Sequence, residues 1–177
     1  MLYTSRYDSP LGGILLAGDD EALTGLWFDG QKYFADTLPA QHAARETPVF
    51  DAAQRWLDVY FRGERPDFTP PVKWEATPFR SAVWEILVSV PYGTTVTYAE
   101  IASRIARQRG LAHMSAQAAG SAVAHNPISV IVPCHRVVGT DGSLTGYAGG
   151  IGKKLRLLEL ERVDTSRFFI PKKGTAL

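Results

Sequence analysis

TYAEIASRIARQRGLAHMSAQAAGSAVA, residues 97–124, holds two short helices and the break between them. Thr97 and Glu100 stand three residues apart, the spacing of a capping box in which a hydroxyl and a carboxylate each satisfy an orphaned amide at a helix start. The helix this predicts runs to about Arg107. After Gly110 a second helix is expected from near Ser115 to Ala124, built almost wholly of Ala, Ser and Gly apart from Gln117 and Val123. Two short helices in tight succession make a helix-turn-helix pattern. The small side chains of the second allow close approach of its backbone, either to a nucleic acid or to another part of the same protein.

Charge favours the first of these. The 177 residues carry 19 Lys and Arg against 18 Asp and Glu. Residues 1–75 hold 7 basic and 12 acidic side chains, whereas residues 76–177 hold 12 and 6. Between Ile101 and Thr140 there is no acid, only Arg104, Arg107, Arg109 and Arg136 with His113, His125 and His135. This asymmetry suits a second half that faces a polyanion, the alternative being a solvated basic face without a ligand.

Upstream, Thr77-Pro78 starts a helix with a hydroxyl cap and Pro at the first position, and Phe79, Val83, Ile86, Leu87 and Val90 form its apolar face. Pro91-Tyr92-Gly93 stops it. Pro66-Asp67-Phe68-Thr69-Pro70-Pro71 reads as a connector, because Pro lacks an amide donor and restricts the residue before it. It divides the chain into a domain of residues 1–70 and one of residues 71–177. In the first, Leu2–Arg6, Ile14–Ala17 and Leu23–Phe28 are separated by turn residues and predict an antiparallel meander. From Pro48, the spacing of Val49, Phe50, Ala53, Trp56, Leu57, Tyr60 and Phe61 predicts a helix that Gly63 and Pro66 end. The fold class expected is α+β. A small N-terminal domain of antiparallel sheet and one helix precedes a mainly helical, winged-helix-like C-terminal domain.

Several classes are set aside by composition. No apolar run approaches the roughly 20 residues of a membrane span, and MLYTSRYDSPLGG lacks a signal-peptide pattern, so no membrane partner and a cytoplasmic address are expected. One cysteine, Cys134, excludes an internal disulfide and the paired thiolates of a zinc finger. Gly146-Tyr147-Ala148-Gly149-Gly150 is a flexible loop, but no GKS/T follows it and it is not a P-loop. No metal and no cofactor are expected.

The thiol has suggestive neighbours. Ile128-Ser129-Val130-Ile131-Val132 is apolar and β-branched, predicting a buried strand that delivers Pro133-Cys134-His135-Arg136 at its end. A cationic, hydrogen-bonding setting lowers a thiol from about 8.5 toward neutrality, which makes Cys134 a candidate nucleophile; a buried small hydrophobe is the plainer reading. A carboxylate orienting His135 would complete a relay. In a helix expected from Lys153 to Val163, measured from Leu155, Glu161 falls at about 240°, between Leu157 at about 200° and Leu158 at about 300° on the apolar face. A carboxylate buried there needs a partner, and Arg136 is one alternative to His135. Asn126-Pro127 reads first as a helix stop, with a functional role only where the Asn126 amide holds the cysteine loop.

Asn126-Pro127 followed by Ile131-Val132-Pro133-Cys134-His135-Arg136-Val137-Val138-Gly139 resembles the active-site signature of the O6-alkylguanine-DNA alkyltransferases. The likeness extends through VTYAEIA at 96–102, the small-residue helix, GYAGG and the Leu-rich helix with Glu161. It implies a protein that binds double-stranded DNA containing O6-alkylguanine, acts as a monomer, flips the base out and moves the alkyl group irreversibly onto its own cysteine. By the same resemblance Cys134 is the acceptor, His135 a base acting through water, Glu161 its orienting carboxylate and Asn126 the loop-holding amide. Tyr98, Gln117, Ala118, Gly120 and Arg136 would meet DNA, and Pro133, Tyr147, Ala148 and Gly149 would wall the alkyl pocket. The family's zinc site, which some members have in the first domain, is not expected without cysteines there. Gln117 stands where the family usually has an arginine that fills the gap left by the flipped base, so weaker DNA binding is expected. Competing readings are a lesion-binding protein without transfer, a Cys-His hydrolase and a helix-turn-helix regulator.

Overall fold

A computed structural model describes residues 1–172 and divides the chain into two compact units. The first comprises Met1–Trp74 together with Pro127–Ile131, and the second Glu75–Asn126 with the chain from Val132 onward.

The sheet unit follows the expected meander. Strands β1 (Leu2–Ser9), β2 (Gly12–Gly18) and β3 (Leu23–Phe28) pair antiparallel, and a short β4 (His42–Ala44) adds to β1 in parallel, giving the order β3-β2-β1-β4. Strand β4 is exposed throughout and has no apolar alternation, which is why its sequence does not announce it. Helix α1 (Pro48–Phe61) is capped by the Thr47 hydroxyl on the Phe50 N–H and buries Phe50, Ala53, Leu57 and Tyr60. Gly63 ends it at φ +82°, its N–H on the Tyr60 carbonyl and that of Glu64 on Val59, a Schellman closure.

The outer edge of β3 does not stay open. Leu23 exchanges main-chain hydrogen bonds with Pro71 and Lys73, and Leu26 with Pro127 and Ser129. Two short segments from distant parts of the chain therefore cover an edge that would otherwise offer unpaired amides. This shifts the division of the chain from residue 70 to Trp74–Glu75 and draws Pro127–Ile131 into the sheet unit.

In the helical unit, α2 (Pro78–Ser89) starts at the Thr77 cap, and a two-residue ladder pairs β5 (Val96–Thr97) with β6 (Val137–Val138) in parallel. Helix α3 (Tyr98–Gln108) carries both bonds of the capping box and ends in a second Schellman closure at Gly110. Residues 109–115 lead to α4 (Ala116–Ala124), within a residue of the expected bounds. Ala119, Ala122 and Val123 of α4 are buried, and the Trp84 indole of α2 donates to the Ala122 carbonyl at 2.8 Å. Half of the small-residue helix thus serves internal packing, and Ala116, Gln117 and Ser121 face outward. Helix α5 (Ile151–Leu160) begins two residues before the expected start and ends at Leu160, with Glu161 as its C-cap. No helix among the described residues is long and apolar enough to cross a membrane.

Candidate active site

The cysteine loop is built differently from the strand expected of Ile128–Val132. Those residues are buried, but only Ile128 makes a bridge, to Leu26; the rest form turns. Val130 adopts φ +68°, and the Ile131 N–H closes a γ-turn onto the Ser129 carbonyl at 2.8 Å. A β-branched residue with this sign of φ stores about 1–3 kcal/mol of backbone strain. A second γ-turn, of the relaxed negative φ, follows at Pro133, where the Cys134 N–H meets the Val132 carbonyl at 2.8 Å. β-branched composition signals burial here, and burial does not require the ladder partners that a strand needs, which only Ile128 has.

Asn126 ties the two ends of this loop together. Its Nδ2 donates to the Val132 carbonyl at 2.8 Å, and its side chain also hydrogen-bonds the Cys134 thiol. The 3₁₀ turn Cys134–Arg136 then sets the thiol, the imidazole and the guanidinium in three directions, all of them buried. Burial pushes the Cys134 thiol up, while the Asn126 amide, the Lys154 charge and the Cys134 and His135 backbone amides pull it down, with a net rise.

His135 points its Nε2 at Glu161 Oε2, 2.5 Å away. Glu161 Oε1 accepts from Arg136 Nε at 2.8 Å and from the Gly93 N–H at 3.0 Å. Burial would raise the Glu161 carboxyl, but His135 and Arg136 outweigh it and hold it far below the usual carboxylate range. Burial also pushes the imidazole down, against the pull of Glu161. A neutral imidazole facing an ionised carboxylate carries its proton on Nε2, leaving Nδ1 as the basic nitrogen. Glu161 thus hydrogen-bonds both of the side chains weighed as its partner, His135 and Arg136.

Arg136 is correspondingly not available to DNA. It is buried, with Nη1 donating to the Val90 carbonyl at 2.8 Å and Nε to Glu161. The resemblance points Arg136 at DNA, but the pairing with Glu161 weighed from the helical projection is the one present, across 25 residues of chain. The other expected DNA-facing residues lie on α3 and α4: Gln117 is exposed, and Tyr98, Ala118 and Gly120 are half-buried.

Of the pocket residues, Pro133 and Tyr147 are buried and Ala148 and Gly149 half-buried. The Tyr147 ring meets the His135 ring edge-on at 6.4 Å, and a Cβ on Gly149 would lie 2.7 Å from it. The Tyr98 hydroxyl donates to the Thr145 carbonyl at 2.8 Å beside Gly146, where a Cβ would sit 2.0 Å from that oxygen. Burial raises the Tyr98 phenol, which therefore stays protonated and able to donate.

Lys154 is the residue that sequence reading missed. It is completely buried, donates from Nζ to the Thr145 carbonyl at 2.7 Å, lies 5.6 Å from the centre of the Tyr98 ring and interacts with the Cys134 charge. Burial lowers it to about 7, against the pull of the thiol. The helical projection that finds Glu161 also finds Lys154, at about 260° in the same apolar arc. No group of three or more His, Cys, Asp or Glu side chains able to hold a metal ion occurs among the described residues.

A soft nucleophile held among donors and a buried cation, backed by an imidazole fixed by a carboxylate and carried beside a helix-turn-helix, defines a DNA-acting protein with a cysteine acceptor. The comparisons with known proteins agree. Residues 2–74 match the 6-O-methylguanine DNA methyltransferase ribonuclease-like domain and residues 78–163 the DNA-binding domain of the same proteins. The methylated-DNA–protein-cysteine methyltransferase of Haemophilus influenzae is 39% identical over 163 residues, covering 92% of this chain and 87% of that one. Its counterpart in Methanosarcina acetivorans is 42% identical over 161 residues, covering 90% and 98%. The Mycobacterium tuberculosis O6-methylguanine methyltransferase crystal structure superposes with a TM-score of 0.77 at 40% identity, covering 98% of this chain and 97% of that one. The M. tuberculosis protein in complex with DNA gives 0.76 at 41% identity, covering 94% of each. The chain belongs to the 6-O-methylguanine DNA methyltransferase family. Its activity is DNA repair by transfer of an alkyl group to a cysteine, and Cys134 is the only cysteine it has.

Proposed function

We propose that the protein binds double-stranded DNA containing O6-alkylguanine, and O4-alkylthymine as a second substrate, and takes the alkyl group onto Cys134 once per molecule. The reading rests above all on the coupling of a buried thiol to Asn126, Lys154 and the neighbouring amides, next to a His135–Glu161 pair. In the reaction the Cys134 Sγ–carbon bond forms as the carbon–O6 bond breaks. The thiol proton passes through a water to His135 Nδ1; the departing guanine takes the Tyr98 phenol proton, which swings from the Thr145 carbonyl, and the phenolate is reprotonated from solvent as His135 releases its extra proton. Glu161 keeps His135 in the required tautomer. Pro133, Tyr147, Ala148 and Gly149 enclose the alkyl group, and the flipped base reaches Sγ past the Gly146–Gly149 loop. The thioether formed has no leaving group for water to displace, so the protein does not turn over. Such a protein needs one thiol and one base, which suits a monomer without a cofactor, working in the cytoplasm on DNA.

DNA contact falls to Tyr98, Gln117, Ala118 and Gly120. Gln117 projects from the exposed face of α4 and hydrogen-bonds the base left unpaired, without the charge or stacking surface of a guanidinium. The decisive experiment is intact-mass measurement after incubation with a duplex containing O6-methylguanine. A gain of one CH2 on the Cys134 peptide, abolished in Cys134→Ser, is expected. Repaired DNA with unchanged protein mass would identify a hydrolase instead, and bound but unrepaired DNA a lesion-binding or regulatory protein. Gln117→Arg is expected to tighten DNA binding, and affinity should fall steeply with added salt as phosphate contacts are screened.

A further inference from the structure

The loop carrying the acceptor leaves α4 at Asn126 and resumes in the helical unit at Val132, while Pro127–Ile131 belongs to the sheet unit. Within that unit Leu26 of β3 grips the segment from both sides. Its N–H donates to the Pro127 carbonyl at 2.8 Å, and its carbonyl accepts the Ser129 N–H at 3.0 Å. One side chain adds to this main-chain grip. Gln31, only 8% exposed and just beyond the end of β3, accepts on Oε1 both the Phe28 N–H at 2.8 Å and the Ser129 hydroxyl at 3.4 Å.

The turn beyond Ser129 gives these contacts their meaning. The Ser129 carbonyl closes the turn in which Val130 is held at φ +68°, a conformation that a β-branched residue leaves unless both ends of the turn are fixed. The far end is fixed by Asn126, whose amide holds the Val132 carbonyl that also receives the Cys134 N–H. The near end is fixed by Leu26 and Gln31. We infer that Gln31, through Ser129, is a positioning residue for alkyl transfer: it holds the Val130 turn in its strained form and so sets the Val132–Cys134 backbone from which the sulfur is presented. The inference rests on the reading of Cys134 as acceptor. It also gives the sheet unit a part in the chemistry although it contributes no reacting group.

The geometry of attack is demanding, since a misplacement of about 1 Å costs on the order of 100-fold in rate. Loss of one long hydrogen bond at the turn should therefore slow transfer by about tenfold. The test is the single-turnover rate of methyl transfer from an O6-methylguanine duplex at saturating DNA, across pH, for the full chain and four variants. Gln31→Leu is expected to be about tenfold slower with unchanged DNA affinity and an unchanged pH midpoint. Gln31→Glu keeps both acceptor bonds and should restore the parental rate. Glycine adopts positive φ freely, so Val130→Gly removes the need for a latch, and adding Gln31→Leu to it should cost less than about twofold. A purely structural Gln31 would lower thermal stability but leave the saturated rate alone. Transfer by Gln31→Leu at the parental rate, failure of Gln31→Glu to rescue, or an equal loss in both Val130 backgrounds would each overturn the inference. Absence of methyl transfer by the parental protein would instead overturn the functional reading beneath it.

Discussion

The buried polar side chains of the sheet unit are Ser5, Gln31, Thr47 and Ser129, whereas those of the helical unit include His135, Arg136, Lys154 and Glu161 beside Asn126 and Ser143. Among the described residues, then, one unit buries only neutral polar groups and the other buries four ionisable ones around its only thiol. Removing a charge from water costs several kcal/mol even after relaxation, and a well-packed apolar replacement is commonly as stable or more so. The sheet unit follows that economy: its pairs Arg6–Asp29, Arg45–Asp20 and Lys73–Asp19 lie at the surface. The helical unit departs from it where the chemistry needs a fixed carboxylate and a tuned thiol. Its charges are also unequally compensated. Glu161 has three donors and stays ionised, while Lys154 has one carbonyl and a thiol and falls to about 7.

The comparison is broken most directly by removing one buried polar group from each unit. Glu161→Ala strands the His135 and Arg136 groups that it pairs, and breaking a buried ion pair in this way costs about 3–5 kcal/mol. Loss of the His135 orientation should also slow transfer by about 100-fold or more. Thr47→Ala in the sheet unit removes only the α1 cap, worth about 1 kcal/mol, with no effect on transfer. Urea denaturation and single-turnover rates check both. Equal losses in the two variants would mean that buried charge has no special place in the helical unit.

How much of this is legible in the sequence depends on the range of the interactions. The capping box at Thr97, the Pro starts of α1 and α2, the glycine end of α1 and the three-strand meander are signals contained within a few residues, and they appear where expected. Apolar periodicity likewise places Glu161 against the core, although the residue caps α5 rather than lying inside it. The features that were not legible depend on partners far away in the chain. Arg136 can be matched to Glu161 from the helical projection, but its bond to the Val90 carbonyl, which lies far back in the chain, has no signal in the sequence, and the resemblance alone points Arg136 at DNA. Ile128–Val132 reads as a strand because the contacts that turn it, from Leu26 and Asn126, come from outside the segment. Lys154 stands beside Lys153, and only its place in the apolar arc of α5 separates the two, while the Gly93 amide carries no residue-type signal for binding Glu161.

Lys154 sharpens the contrast through pH. Its folded value of about 7 lies below its ordinary 10.5, so between these limits the unfolded chain binds the extra proton. Stability should therefore rise with pH from about 7 toward 10.5, by at most about 1.4 kcal/mol per unit, with the burial penalty fully present below 7. Lys154→Met should flatten that rise. Because the Lys154 charge favours the Cys134 thiolate, the same variant should also move the pH profile of transfer upward, slowing the reaction near neutrality and less so in base. A stability curve of unchanged slope, or a profile that does not move, would show that the amine is not a charged neighbour of the thiol.

The smallest expected effect concerns how the helices of the two units end. Helix α1 closes on Gly63 at φ +82°, where glycine has no side chain to clash. Helix α5 makes the same closure with Arg162 at φ +61°: the Arg162 N–H meets the Glu159 carbonyl at 2.9 Å, and the Val163 N–H meets Leu158 at 3.0 Å. The apolar contact of this motif is also present, since Val163 and Leu158 share one buried cluster. The turn immediately follows Glu161, the C-cap of α5. Left-handed backbone at a residue with a Cβ costs about 1 kcal/mol, and Arg162→Gly should recover about 0.5–1 kcal/mol in thermal or urea unfolding. If Glu161 is held by its three donors rather than by the backbone strain beside it, the transfer rate of this variant stays at the parental value. A more stable but slower protein would show that the strained cap helps to aim the carboxylate.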